Sequence, residues 1–101
     1  MPVAVKTAPY QLTAILEKTR SGIVAFCPEL DIATEGRSEL AALSGLVELA
    51  KEYAKEYSES WDLYAKSPNR AVHRPYIESI LAQKNTAGIK NLFSGGTTLS
   101  A

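Results

Sequence analysis

Three groups of side chains in this sequence have the types and spacing to do chemistry. Cys27 is the only cysteine and His73 the only histidine, and a thiol within reach of an imidazole is a nucleophile with its base. Nothing local supports that pairing. Cys27 is followed by Pro28-Glu29, with no glycine-rich elbow, no helix start, and no Asn or Asp placed to orient the imidazole. A lone cysteine closing an apolar strand reads as a small buried hydrophobe, and His73, at a basic helix start, reads as a surface or interface residue. One cysteine also excludes an internal disulfide and, with one histidine, a zinc cluster within the chain.

Glu29, Asp31 and Glu35 form the second group. On a strand they share one face by parity, as the Mg²⁺-holding carboxylates of a nuclease would. The facing positions bring no further Asp or His, so a solvated sheet face is the better reading. The third group, Arg70, His73, Arg74, Lys84 and Lys90, makes a basic tail interleaved with apolar residues. Such a tail could contact nucleic-acid phosphates as a regulator would. It has no platform of stacking aromatics, and the mixed pattern suits a protein groove better. No GxGxxG, Walker loop, HExxH or paired CxxC occurs, so no cofactor and no bound metal are expected.

These groups must be positioned by a single domain of 101 residues with zero formal net charge, which gives the whole molecule no electrostatic claim on nucleic acid or an anionic membrane. The charge is unevenly placed: residues 1–65 carry a balance of −4 and residues 66–101 one of +4. No apolar run is long enough to span a bilayer. The N-terminal stretch, with Lys6 and no apolar core, does not read as a secretory signal. A cytoplasmic location is expected.

Residues 10–18 alternate, with Tyr10, Leu12, Ala14 and Leu16 on one face, and predict a half-buried strand. Thr19-Arg20-Ser21-Gly22 is turn chemistry, and Ile23–Cys27 predicts a second strand, so the two form a hairpin. Pro28 cannot donate to a ladder and ends that strand. Residues 31–35 predict a short third strand broken by Gly36, and Ser38 is placed to cap a helix. That helix, residues 39–65 up to the stop at Pro68, carries the strongest periodic signal. Leu40, Leu43, Val47, Ala50, Ala54, Tyr57, Trp61 and Tyr64 are spaced alternately three and four apart, with Leu46 and Tyr53 widening the stripe. Gly45 allows close approach to the sheet.

A helix of that length spans roughly 40 Å, whereas strands of five to nine residues span about 17–30 Å. The distal aromatics therefore need a second cover: a dimer mate, the chain's own tail, or another protein. The tail offers Tyr76, Ile77, Ile80 and Leu81 on an amphipathic helix led by Pro75, then a short helix capped at Asn85 or Thr86. The expected organisation is a strand–helix domain over residues 1–66, a basic amphipathic helical tail over 67–93, and a loose end over 94–101. The fold class is α+β: a small antiparallel three-stranded sheet on one long helix, with a short helical tail.

Val24-Ala25-Phe26-Cys27-Pro28-Glu29-Leu30 and Gly36-Arg37-Ser38-Glu39-Leu40-Ala41 are similar to two stretches of the HicB-like antitoxins, and residues 10–65 as a whole resemble that family. The resemblance implies a β-β-β-α core related to a catalytically empty ribonuclease H-like fold. It also implies a non-enzymatic role: binding and neutralising a small toxin, a ribonuclease, encoded beside it. Residues 67–101 are too short and too poor in paired helices for a helix-turn-helix, so DNA binding is not expected of this chain alone. The expected function is an antitoxin-like, cytoplasmic protein-binding module, a homodimer or higher oligomer, that occludes a toxin's active groove. The expected interface is Tyr53, Tyr57, Trp61, Tyr64, Arg70, Arg74, Tyr76, Ile77, Ile80 and Leu81. A nucleic-acid regulator acting through the basic tail and a small metal-dependent nuclease are the alternatives.

Overall fold

The computed structural model describes residues 11–94 and 98–99. Four strands form one sheet in the order β4-β3-β2-β6, where β2 is Ile15–Lys18, β3 Ile23–Cys27, β4 Ile32–Gly36 and β6 Thr98–Leu99. The expected hairpin is present: β2 and β3 pair antiparallel from Ile15 opposite Phe26 to Lys18 opposite Ile23. Its turn is closed by the Thr19 N–H donating to the Gly22 carbonyl at 2.7 Å. β4 pairs antiparallel with β3, and β6 returns parallel to β2. Together β2, β3 and β4 are the expected antiparallel three-stranded sheet.

The first strand is split. Leu12–Thr13 (β1) leaves the ladder and pairs in parallel with Phe93–Ser94 (β5), while Tyr10 lies outside the described residues. The cause is local. The Thr13 N–H donates to Glu29 Oε1 at 2.9 Å instead of to a strand, and its hydroxyl donates to Glu29 Oε2 at 2.7 Å. Alternation survives the break, with Leu12, Ala14 and Leu16 all buried. The third strand begins one residue late because Asp31 sits in the left-handed region at φ 55°, which a short polar side chain tolerates. Gly36, expected to break the strand, is its last paired residue, opposite Ile23. A Cβ there would lie 2.5 Å from the Ala42 amide nitrogen, so this glycine is what lets the helix start press on the sheet. At Gly45 a Cβ would meet Thr34 Cγ2 at 3.2 Å, in keeping with the expected close approach.

Ser38 caps helix α1, Glu39–Glu59, its side chain accepting the Ala41 N–H at 3.1 Å. The buried stripe runs through Ala42, Leu46, Val47, Ala50, Tyr53, Ala54 and Tyr57. Leu40, expected on that stripe, is 66% exposed. A three–four alternation averages 3.5 residues per turn and drifts by about 20° per heptad against a 3.6-residue helix. Counted back from Tyr57, that drift carries Leu40 off the buried face. The single helix expected to Ala65 also ends early: Ser60, at φ −124° and ψ 44°, separates α1 from α2, Trp61–Ala65.

Three further short helices follow: α3 Pro68–Ala71, α4 Arg74–Leu81 with Pro75 in its first turn, and α5 Thr86–Lys90 capped by Asn85. α4 and α5 both pack on α1, and the core joins Leu12, Leu30, Leu46 and Val47 to Ile77, Ile80, Ile89 and Leu92. Of the end expected to be loose, residues 95–97 and 100–101 lie outside the described residues. Ser94 and Thr98–Leu99 are strand.

Gly36→Ala should force the first turn of α1 off the sheet and cost about 1–3 kcal/mol, read as a lower urea midpoint at unchanged m-value.

Candidate functional site

The α1 stripe continues past the sheet, and the tail covers it. Tyr53 and Tyr57 on α1 meet Trp61 and Tyr64 on α2, with Arg70, His73 and Arg74 arriving from α3 and the start of α4. The bend at Ser60 makes this possible. Residues seven apart on a straight helix are separated by about 10.5 Å along its axis, yet the Tyr57 and Tyr64 rings stack with centroids 4.8 Å apart. Tyr53 lies edge-on to both Tyr57 and Tyr64. The Arg70 guanidinium is 5.4 Å from the centroids of Tyr53 and Tyr64, and that of Arg74 is 4.5 Å from Trp61, within cation–π range.

Burial of two tyrosines requires partners for their hydroxyls. Tyr57 donates to the Arg70 carbonyl at 2.8 Å. Tyr53 Oη lies 2.6 Å from His73 Nδ1 and takes a 3.4 Å bond from Arg70 Nη1. A guanidinium can only donate, so Tyr53 Oη accepts from Arg70, and the short contact to His73 Nδ1 joins phenol and imidazole in one buried hydrogen bond. Burial lowers the His73 pKa and the Arg70 charge lowers it further, with Asp31 opposing. Burial likewise raises the Tyr53 phenol, against the pull of Arg70.

This arrangement sorts the expected interface. Tyr53, Tyr57, Ile77 and Ile80 are buried in the chain's own core, so their apolar surface is engaged before any partner arrives. Trp61, Tyr64 and Tyr76 are half-buried, while Arg70, Arg74 and Leu81 are exposed. Arg74 forms an exposed pair with Glu78 at 3.2 Å. His73, read from sequence as a surface or interface residue, is buried. Two exposed apolar residues were not anticipated: Leu63, at 69%, and Val72, at 65%. The signal for Leu63 was available, since it falls between the stripe positions Trp61 and Tyr64 and so off the buried face.

The other candidate chemistries are absorbed by the fold. The buried Cys27 thiol is pushed up to about 12, chiefly by burial, and its sulfur sits 3.5 Å from Glu29 Oε1, while His73 is bonded to Tyr53. The three acidic residues do not share a strand face. Glu29 and Asp31 lie in the turn after β3, and Glu35 accepts the hydroxyls of Thr19 and Ser21, both at 2.9 Å. Among the described residues no three His, Cys, Asp or Glu side chains converge as metal ligands would. Burial raises the Glu29 pKa, but the bonds from Thr13 outweigh it, and the net shift is below the usual 4.5.

Two pH windows follow. His73 has a depressed folded-state pKa, so the unfolded chain binds the extra proton first and stability should fall as pH drops below 6.5. His73→Asn, whose Oδ1 takes the Nδ1 place, should flatten that slope in urea titrations between neutral and mildly acid pH. Glu29 contributes stability above 4.5 that is lost below it. Glu29→Gln should cost about 1 kcal/mol at neutral pH and remove the lower window alone.

A family profile described as antitoxin of toxin-antitoxin, RelE/RelB, TA system, under the name PHD-like, matches residues 3–95. It is a PHD-like profile and not a HicB-like one. Among solved structures, the chain is similar to an antitoxin part of a proposed toxin/antitoxin system from Syntrophomonas wolfei subsp. wolfei. The TM-score is 0.77 at 27% identity over 90% of this chain, which spans 64% of that chain's length. No curated protein sequence matches. Among the described residues no helix is long and apolar enough to cross a membrane. The profile takes in β1 to β5, the long helix and the helices that close over it, and by that match the chain belongs to the PHD-like family of antitoxins.

Proposed function

We propose that this chain is a non-enzymatic, cytoplasmic antitoxin that binds and neutralises a small toxin, a ribonuclease, through the aromatic–arginine end of its long helix. The observation that carries this reading is the surface composition there. Arg70 and Arg74 are exposed over half-buried Trp61 and Tyr64, beside uncovered Leu63 and Val72. Tryptophan, tyrosine and arginine dominate the energetic centres of protein interfaces. Large apolar side chains left in water beside them favour a partner. Because α4 already lays Ile77 and Ile80 on α1, occlusion is by this folded end and not by a free tail. The resemblance of residues 10–65 to HicB-like antitoxins is read as a shared strand–helix scaffold, with the PHD-like match carrying the assignment. A homodimer or higher oligomer is part of the proposal, and DNA binding by this chain alone is not.

Co-expression with the adjacent reading frame tests it. The expected result is co-purification, relief of growth arrest and stoichiometric inhibition of the toxin's RNA cleavage. Leu63→Asp and Val72→Asp, both at exposed sites, should weaken the complex by about tenfold or more without lowering the urea midpoint. Absence of both co-purification and growth relief would sink the reading. Unchanged affinity in both variants would remove this end of the molecule from it.

A further inference from the structure

A second cationic surface occurs on another part of the molecule, where α1 meets the α4–α5 connection. A groove of about 480 Å³ there has Ala54, Ile80 and Ile89 at its base and Lys51, Lys55 and Lys84 around it. Leu81 stands on the rim, 47% exposed, and the lysine stems add apolar wall beneath their charges. No aspartate or glutamate lines the groove. None of the three lysines is ion-paired with a described residue, although Lys51 and Lys55 repel one another one helical turn apart. The neighbouring amides are already engaged: Asn85 Oδ1 accepts the Gly88 N–H, and Gln83 donates to the Ser79 carbonyl. The charged groups of the groove are therefore all ammoniums, over an apolar base.

We propose that this groove docks an acidic, amphipathic segment of a partner protein, with apolar anchors in the trough and carboxylates on the lysines. The trough runs open between helices, whereas small-molecule sites enclose most of their ligand. A helix laid in a groove presents anchors three and four residues apart with charges on either side, which matches both the base and the rim. A second copy has some of this chemistry in Leu63 beside Glu59 and Asp62. That contact would join two different patches head to tail, a geometry that propagates into open chains unless it closes. The proposal does not depend on the identity of any toxin.

The probe is a short synthetic helical peptide with leucines one turn apart flanked by glutamates, labelled and titrated into the full chain by fluorescence anisotropy. Saturable micromolar binding is expected, falling about tenfold or more in Lys51→Glu/Lys55→Glu and steeply with added salt. Peptides with lysine in place of glutamate, or serine in place of leucine, should not bind. Amide shifts of the labelled chain should centre on Ala54, Leu81 and Lys84. No saturable binding, or equal binding of the lysine peptide, would overturn the proposal. So would concentration-dependent self-association abolished by Lys51→Glu/Lys55→Glu, which would make a second copy the occupant.

Discussion

A helix longer than the sheet beneath it must bury the rest of its apolar stripe elsewhere, and most of this structure answers that constraint. At 21 residues, α1 runs about 31 Å, while β2, β3 and β4 have four or five residues each and span about 13–17 Å. Beyond the sheet the stripe turns from aliphatic to aromatic, from Leu46 and Val47 to Tyr53 and Tyr57. Aromatic rings bring large apolar area with a polar tip, so their cover must supply hydrogen-bond partners as well as carbon. The α3–α4 segment does both, through the Arg70 carbonyl, His73 and the apolar face of α4. The chain then continues to β5 and β6, which close onto β1 and β2.

The same constraint explains why the charged residues of the tail are where they are. Arg70 and Arg74 lie over aromatic faces that the bend at Ser60 has gathered, and these contacts do not require carboxylates. The acidic residues of the sheet are instead spent on local bonds: Glu29 ties β1 to the turn after β3, and Glu35 ties β4 to the hairpin turn. The fold therefore uses its candidate catalytic acids as fasteners and leaves its cations facing outward. The chain's family, from the profile over residues 3–95, is that of the PHD-like antitoxins.

Much of the fold was legible because its signals are local. Alternation marked the hairpin, Pro28 marked its end, and Ser38 marked the start of α1, each through the backbone of a few consecutive residues. The errors have equally specific causes. Leu40 was placed on the stripe because a three–four spacing hides its drift against the true helical turn. The break at Ser60 was missed because serine is tolerated in helices, and the stacking of Tyr57 on Tyr64 is what exploits the bend. The split of the first strand depended on Glu29, sixteen residues away from Thr13, and spacing alone carries no such information.

For the site, the sequence by itself determined that an aromatic stripe would overhang a short sheet and that a basic, apolar tail was available to meet it. Those are matters of length, periodicity and composition, all readable along one dimension. Only the tertiary structure decided which residues were used up in that meeting. Tyr53, Tyr57, Ile77 and Ile80 went inside, His73 was buried against the Tyr53 hydroxyl, and Trp61, Tyr64, Arg70 and Arg74, together with Leu63 and Val72, were left partly or wholly at the surface. The physical reason is that a covering segment and a binding segment have the same amphipathic pattern. The two are told apart by which surface lies within reach once the chain has turned back on itself.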